Sequence, residues 1–192
     1  KGTVMKIKSL LASSLLAGTA LFAGNYTVDP MHSSTDFSVK HAMISTVKGN
    51  FGKFNGSFEY DEATKTLKSL KGTIEATSID TGIKDRDDHL RSADLFDVAK
   101  YPTITFVLDE IKGDKAYGKL TMKGVTKPVV LAFENGGAAT DLYGNKRVGL
   151  GLSGKINRTD FGISWNKALE TGGVIVGEEV KLDVALEGIL QK

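Results

Sequence analysis

The chain has 192 residues, with 25 basic and 23 acidic side chains, 41% hydrophobic residues and no cysteine. These values are typical of one or at most two soluble globular domains, and they exclude an intrinsically disordered chain and a disulfide-stapled scaffold. The 22 glycines against only 3 prolines indicate many tight turns, so an all-β fold is favoured.

The N-terminal segment is predicted to be a secretory signal peptide. Met5 is followed by Lys6 and Lys8, by a largely apolar run over residues 10–22, and by Ala23, after which cleavage is expected. The run of about 13 residues is shorter than the roughly 20 that a membrane-spanning helix needs, so no membrane anchor is expected. We therefore expect residues 1–23 to be a short remnant ahead of Met5 plus the signal peptide, and the bacterial periplasm to be the location.

The remaining residues, 24–192, show no repeat and no change of composition, and are predicted to form a single domain. Removing Lys1, Lys6 and Lys8 from the 25 basic residues leaves 22 against 23 acidic ones, a formal charge of −1. A near-neutral chain without long basic runs gives no electrostatic reason to expect a nucleic-acid partner.

Apolar and polar residues alternate with a period of two along most of this domain, which predicts strands with one buried face. A short strand is expected over residues 26–29, and eight or nine strands in total. The apolar positions of the later strands are Phe37 and Val39; Phe54, Phe58 and Tyr60; Leu70 and Ile74; Ile104, Phe106 and Leu108; Leu120 and Met122; Val129, Leu131 and Phe133; Val148, Leu150 and Leu152; and Leu182, Val184 and Leu186.

Short connections such as Gly113-Asp114 predict antiparallel neighbours, because parallel strands need crossovers of a dozen or more residues. Beside Gly52 the alternation slips by one residue, which predicts a β-bulge. Two segments depart from the strand pattern. Residues 83–92 are predicted to form a short helix, and residues 164–173 a loop.

Eight or more antiparallel strands with one apolar face predict an eight-stranded barrel or a sandwich. A closed eight-stranded barrel is either filled by its own side chains or holds one slender ligand. Gly56, Gly72, Ala76 and Gly118 lie on the same faces as the bulky residues, which favours a partly open interior. A filled barrel and an apolar ligand cavity both remain consistent with the pattern.

Catalytic and metal chemistry has little support in the sequence. The three histidines, His32, His41 and His89, lie on separate segments, and neither a zinc-ligand spacing nor a nucleophile elbow is present. The acidic stretch over residues 84–89 lacks the pattern of a calcium loop and is interpreted as a solvated helix. No metal and no cofactor are expected.

Arg158 and Asp160 are stronger polar candidates, because they directly follow a predicted strand and are expected in a charged turn at the mouth of a barrel. Arg158 is the one predicted to bind a ligand. It has two interpretations, a bridge to a neighbouring carboxylate that closes a loop or a contact for a ligand head group. Trp165, the only tryptophan, is equally consistent with the core and with a cavity wall.

Ordered motifs across nearly the whole domain resemble the YceI-like family of bacterial polyisoprenoid-binding proteins. They include Asp29-Pro30-Met31-His32-Ser33, Ser78-Ile79-Asp80-Thr81-Gly82, Arg86-Asp87-Asp88-His89-Leu90, Gly118-Lys119-Leu120-Thr121-Met122-Lys123-Gly124 and Arg158-Thr159-Asp160-Phe161-Gly162. The resemblance implies a secreted, lipocalin-like antiparallel barrel that encloses one long isoprenoid or other lipid, often as a homodimer, with no established catalytic activity. Leu95-Phe96 departs from the two aromatic residues frequent in the family.

The predicted function is non-enzymatic binding or carriage of a long apolar lipid, such as a polyprenol, a quinone tail or a fatty amide. The predicted ligand-binding residues are Phe37, Val39, His41, Phe54, Ile74, Phe106, Leu120, Leu131, Phe133, Leu152, Arg158, Ile163, Trp165, Leu182 and Val184. Two alternatives stay open: a periplasmic lipid-modifying enzyme that uses His41 or His89 with Asp87, and a filled barrel that binds another protein.

Overall fold

The computed structural model describes residues 23–170 and 172–192. The predicted signal peptide lies outside these residues except for Ala23. Within the described part the chain forms eleven strands and one α-helix: β1 Gly24–Val28, β2 Ser34–His41, β3 Ser45–Phe51, β4 Phe54–Asp61, β5 Thr66–Glu75, β6 Ile79–Asp80, α1 Lys84–Arg91, β7 Thr103–Lys112, β8 Lys115–Met122, β9 Val125–Thr140, β10 Lys146–Asn157 and β11 Val176–Leu190.

The strands form one antiparallel sheet that closes on itself as a barrel. The long β11 closes the ring, since it pairs with β10 on one edge and with both β1 and β2 on the other. Three strands of the ring are interrupted: β1 continues as β2, β3 as β4, and β5 as β6. Counted in this way the ring has eight strands, so the predicted eight-stranded barrel with one short helix is confirmed.

The sequence signals for turns and breaks are confirmed as well. The β-bulge predicted beside Gly52 is an exception, because Gly52 and Lys53 instead separate two strands, β3 and β4, that pair with β6 and β5. Gly113 and Gly124 have φ values of 60° and 75° in the β7–β8 and β8–β9 turns, a backbone region that glycine adopts without steric cost. The predicted helix forms with Ile83 and Ser92 as its caps.

Two groups of buried side chains fill the two ends of the barrel. The base cluster lies at the end of the barrel where β5, β8 and β10 begin. It consists of Tyr26, Val28, Phe58, Tyr60, Leu67, Leu70, Leu108, Ala116, Leu131, Val148, Leu150 and Leu152. The lid cluster lies at the end with α1 and is built from Phe51, Ala76, Ile79, Leu95, Ile104, Leu120, Met122, Ile156, Phe161 and Ile163. The interior between the two clusters is the candidate site.

Candidate ligand-binding cavity

A cavity lies inside the barrel between the base cluster and the lid cluster. The volume of the cavity is about 140 Å³. Its surface is almost entirely apolar, which favours an apolar occupant over water. Every strand of the ring contributes to the wall, through Val28, Phe37, Phe51, Phe54, Leu70, Ile74, Ile104, Phe106, Leu120, Met122, Val129, Leu131, Leu152, Ile156, Leu182, Val184 and Leu186.

Two glycines that face each other hold part of this space open. Gly56 on β4 pairs directly with Gly72 on β5, and both line the cavity. An added Cβ at Gly72 would have only the Asn55 carbonyl oxygen within 4 Å, at 3.8 Å. An added Cβ at Gly56 would lie 2.9 Å from the Lys71 carbonyl oxygen. Gly72 is therefore the position at which a larger side chain can grow into the cavity without a backbone clash.

The base of the cavity is closed by three aromatic side chains that pack against one another. The Tyr26 ring stacks on Phe58 with centroids 5.2 Å apart and meets Tyr60 edge-on at 6.3 Å. The Tyr26 hydroxyl donates to Glu62 at 2.8 Å, and the Tyr60 hydroxyl donates to Asn135 at 3.0 Å. Burial and the nearby Glu62 carboxylate raise the pKa of Tyr26 well above its usual range, so its hydroxyl stays protonated.

The opposite end is covered by the segment that contains α1. Phe96 meets Phe51 edge-on at 6.0 Å, and Phe51 in turn contacts Phe37, with both of these rings on the cavity wall. Leu95 beside it is buried in the lid cluster. Leu95 and Phe96, the two residues that depart from the pattern of the family that this chain resembles, therefore belong to the cover of the cavity and are not part of its wall.

Charged side chains fasten α1 to the barrel. Asp87 is 5% exposed, and its carboxylate accepts hydrogen bonds from the Thr81 N–H at 3.0 Å and the Thr81 hydroxyl at 2.5 Å. Arg86 donates to the Thr81 carbonyl oxygen, and Arg91 donates to those of Thr77 and Ile79. The charged motif of residues 86–91 thus positions the cover.

The histidines have separate partners. His89 lies edge-on to Trp165 at 4.6 Å, and its Nε2 is 3.4 Å from Asp94. His41 is exposed at the β2–β3 hairpin, and Asp87 bonds to Thr81. The enzymatic alternative requires His41 or His89 to contact Asp87, and the structure shows neither contact.

Arg158 fits neither of its two sequence interpretations. It is 5% exposed, and its guanidinium donates to four carbonyl oxygens, those of Ile163, Trp165, Val176 and Gly177, at 2.5–3.1 Å. Burial lowers the pKa of Arg158. No carboxylate bridge is recorded for it among the described residues, and it does not line the cavity. Its position directly after β10 places it where it anchors the following loop.

Nine of the predicted ligand-binding residues line the cavity: Phe37, Phe54, Ile74, Phe106, Leu120, Leu131, Leu152, Leu182 and Val184. The other six lie elsewhere: Ile163 and Trp165 belong to or pack on the lid cluster, Phe133 packs on the base cluster, and Val39, His41 and Arg158 lie outside the cavity wall. Sequence reasoning missed eight apolar wall residues: Val28, Phe51, Leu70, Ile104, Met122, Val129, Ile156 and Leu186. Alternation identifies the inward face of a strand but not the level at which each residue stands along the barrel.

Asp29, His32 and Glu187 form a group with ligand atoms close enough to hold a metal ion. Arg147 Nη1 already lies 2.8 Å from Asp29 Oδ2 and 2.6 Å from Glu187 Oε1. A cation would have to displace this guanidinium, so the arrangement is better explained as an ion-pair network than as a metal site. Within residues 23–170 and 172–192, no helix is long and apolar enough to cross a membrane.

An antiparallel eight-stranded barrel with a covered apolar cavity defines a class of small-ligand-binding barrels. Residues 26–188 match the model of the YceI-like domain, and the chain belongs to that family. It is 39% identical over 164 residues to a UPF0312 protein of Staphylococcus aureus, covering 85% of this chain and 96% of the relative.

Two solved structures show the same architecture. The YceI protein of Campylobacter jejuni is 34% identical, with a TM-score of 0.69 over 80% of this chain and 90% of that one. A polyisoprenoid binding domain from Saccharophagus degradans, implicated in plant cell wall breakdown, has 17% identity and a TM-score of 0.66, covering 88% and 99% of the two chains. At 17% identity, the likeness to the polyisoprenoid binding domain shows a shared fold alone.

Proposed function

We propose that this protein binds a long apolar chain, an isoprenoid or another lipid, inside the barrel and carries it without chemical change. The observation that carries the proposal is the cavity, which is lined by apolar side chains from every strand of the ring and covered at both ends. The polyisoprenoid-binding domain of the same fold supports the choice of ligand class. We further propose that the protein acts in the bacterial periplasm after removal of the predicted signal peptide.

The affinity in this proposal comes from the removal of apolar surface from water. Each buried methylene contributes about 0.8 kcal/mol, so a chain of about 12 methylene equivalents has a gross driving force near 10 kcal/mol before the costs of ordering it. One methylene more or less changes binding by only about 1 kcal/mol. The protein is therefore expected to accept several chains of similar width.

The proposal is tested with residues 24–192 purified from bacterial periplasm, by native mass spectrometry and by extraction and identification of bound lipid. A stoichiometric isoprenoid or acyl-chain adduct is expected. The variant Gly72→Leu is expected to fold and to lose the adduct, because its side chain occupies the cavity. Lys119→Leu, which adds the same side chain at an exposed position on β8 outside the cavity wall, is expected to keep it. A wild-type protein without adduct that takes up no added polyprenol would overturn the proposal.

A further inference from the structure

The wall of the barrel has one place where neighbouring strands separate. β5 and β7 are paired only from Glu75–Thr103 to Lys71–Val107. Both strands continue beyond Lys71 and Val107, over residues 66–70 and 108–112, without pairing to each other. We call the gap between these two stretches the side window.

Irregularities on both sides turn the two strands apart. On β5, Lys68 is an extra residue in the pairing with β4, since Glu59 pairs with Ser69 and Tyr60 with Leu67. On β7, Asp109 is the extra residue between Leu108 and Glu110 in the pairing with β8. Bulges bend the strand that carries them and end a regular ladder, so a bulge on each strand accounts for the split.

Below the window the wall closes by a different contact. The β7–β8 hairpin is short, and β9 extends past it, with the Phe133 N–H donating to the Asp114 carbonyl oxygen. Asn135 on β9 then donates to the Lys65 carbonyl oxygen at 2.8 Å, next to the start of β5. The side window therefore has a frame on three sides, formed by β5, β7 and β9.

Apolar side chains close the window in place of backbone hydrogen bonds. Leu67, Leu70 and Leu108 are buried there in the base cluster, with Ile111 packed against them. Leu70 also lines the cavity, as do Gly72 and Phe106 of the adjoining β5–β7 pairs. The cavity thus begins directly behind the last paired residues of the short ladder.

Side-chain hydrogen bonds hold the covers at the two ends of the barrel, whereas the two strand stretches at the window are not paired to each other. The cover at the lid end is held by the hydrogen bonds of Asp87, Arg86 and Arg91, and the base is held by those of Tyr26 and Tyr60. At the window, an apolar chain replaces contacts made by leucines, which costs little because both kinds of contact are non-directional. Gly72, in the second pair from the window end of the short ladder, adds backbone freedom there.

We propose that the ligand enters and leaves the barrel sideways, through the side window, when Leu67, Leu70 and Leu108 move aside and the β5–β7 ladder frays from its Lys71–Val107 end. This inference rests on the proposed function. It makes the β5–β7 ladder the element that controls the rate of lipid exchange, while the cavity wall controls affinity.

The absence of native cysteine allows a direct test by disulfide locking. Lys71 and Val107 are directly opposite, and opposed residues on antiparallel strands have Cα atoms about 4.5–5.5 Å apart, within the range that a disulfide spans. The locked variant is Lys71→Cys with Val107→Cys. The matched control is Ser153→Cys with Asp183→Cys, an exposed opposed pair in the middle of the β10–β11 ladder that does not line the cavity. If the first pair does not fold, Thr73→Cys with Thr105→Cys locks the same ladder.

The readouts are the rate of uptake of cis-parinaric acid, a fluorescent polyene fatty acid, and its rate of release to phosphatidylcholine vesicles. In the oxidised Lys71/Val107 variant both rates are expected to fall by about tenfold or more while the Kd changes by less than about threefold, with recovery on reduction. The oxidised control is expected to exchange at the wild-type rate. Wild-type exchange in a locked variant whose disulfide is confirmed by mass would overturn the side route. Failure of every form, wild type included, to bind the probe or extract a lipid would instead overturn the proposed function.

Discussion

At the scale of single residues, glycines decide where the interior is filled and where it is open. Gly188 on β11 lies beneath the Phe58 ring of the base cluster, which an added Cβ would overlap, and Tyr26 Cβ would be 3.0 Å away. Gly72 has open space in the same direction. An added Cβ therefore clashes with neighbouring atoms at Gly188 and has open space at Gly72.

We expect Gly188→Ala to lower the free energy of unfolding by about 1–3 kcal/mol, because the aromatic stack must shift to admit the methyl group. Gly72→Ala is the control and is expected to change it by less than about 0.5 kcal/mol. Urea unfolding followed by circular dichroism measures both. Equal effects of the two substitutions would contradict the assignment of Gly188 to a filled part of the barrel and Gly72 to an open part.

Sequence reasoning predicted only some of these glycine roles. Gly56 and Gly72 do line the cavity, as their place on an apolar face indicated. Gly118 shares that feature, but the Phe106 ring covers it, with an added Cβ only 2.6 Å from its Cζ. The difference depends on which way a ring on the neighbouring strand leans, and a single-strand pattern contains no information about that.

At the scale of elements, Arg158 joins the loop after β10 to the start of β11. Its four acceptors are carbonyl oxygens on both arms of that loop, and no opposite charge bonds to it within the described part of the chain. Its loss leaves several partly buried carbonyl groups without a donor, each of which costs free energy. The planar guanidinium is needed because a single ammonium group cannot reach four acceptors in different directions.

We expect Arg158→Gln to lower the free energy of unfolding by about 2–4 kcal/mol and Arg158→Lys to recover little of it. Lys155→Gln is the control, because Lys155 lies on the same strand and forms only an exposed ion pair with Glu179. Its free energy of unfolding is expected to fall by about 0.5 kcal/mol or less. Chemical unfolding of the three variants provides the measurement. Full stability of Arg158→Lys would show that charge alone, not the fork of donors, holds the loop.

The elements themselves were well predicted, because each carries a local signal. Period-two alternation indicated the strands, and glycines at positive φ marked the turns of β7–β8 and β8–β9. The interruption of β5 before β6 and the side window beyond Lys71 were not predicted. Both follow from the curvature of neighbouring strands, which depends on pairing across the sheet.

At the scale of the whole molecule, the barrel closes where β11 meets β1, and a charged network holds the chain ends of that junction together. Arg147 on β10 bonds to Asp29 after β1, to Glu187 on β11 and to Asp141 in the turn before β10, at 2.6–2.8 Å. His32 Nδ1 also contacts Asp29, at 2.8 Å. The number of strands left a barrel and a sandwich open, and the family resemblance favoured the barrel. The charged network was not predictable, since its members are far apart in sequence.

The network makes the stability of the whole barrel depend on acid. Hydrogen bonds from Arg147 and His32 lower the pKa of Asp29 from 3.8 to about 2, and the Arg147 bond also lowers the pKa of Asp141. A carboxylate with a lowered folded-state pKa stabilises the fold above its unfolded pKa, and this contribution is lost as the pH falls through the folded value. The stabilisation is therefore complete above about pH 4 and lost towards pH 2.

We expect Arg147→Met to lower the Tm by roughly 5 °C at pH 7. This difference from the wild type is expected to shrink as the pH falls from 4 to 2, because Asp29 in the wild type then takes up a proton and its ion pair with Arg147 is lost. His32 remains beside Asp29 in the variant, so part of the acid sensitivity of the wild type persists there. Lys112→Met, which removes an exposed pair with Glu110, is the control and is expected to have a small effect at every pH. Thermal unfolding across this pH range measures the difference in Tm. A difference between wild type and Arg147→Met that stays constant down to pH 2 would show that Arg147 acts by packing instead of by pairing with these carboxylates.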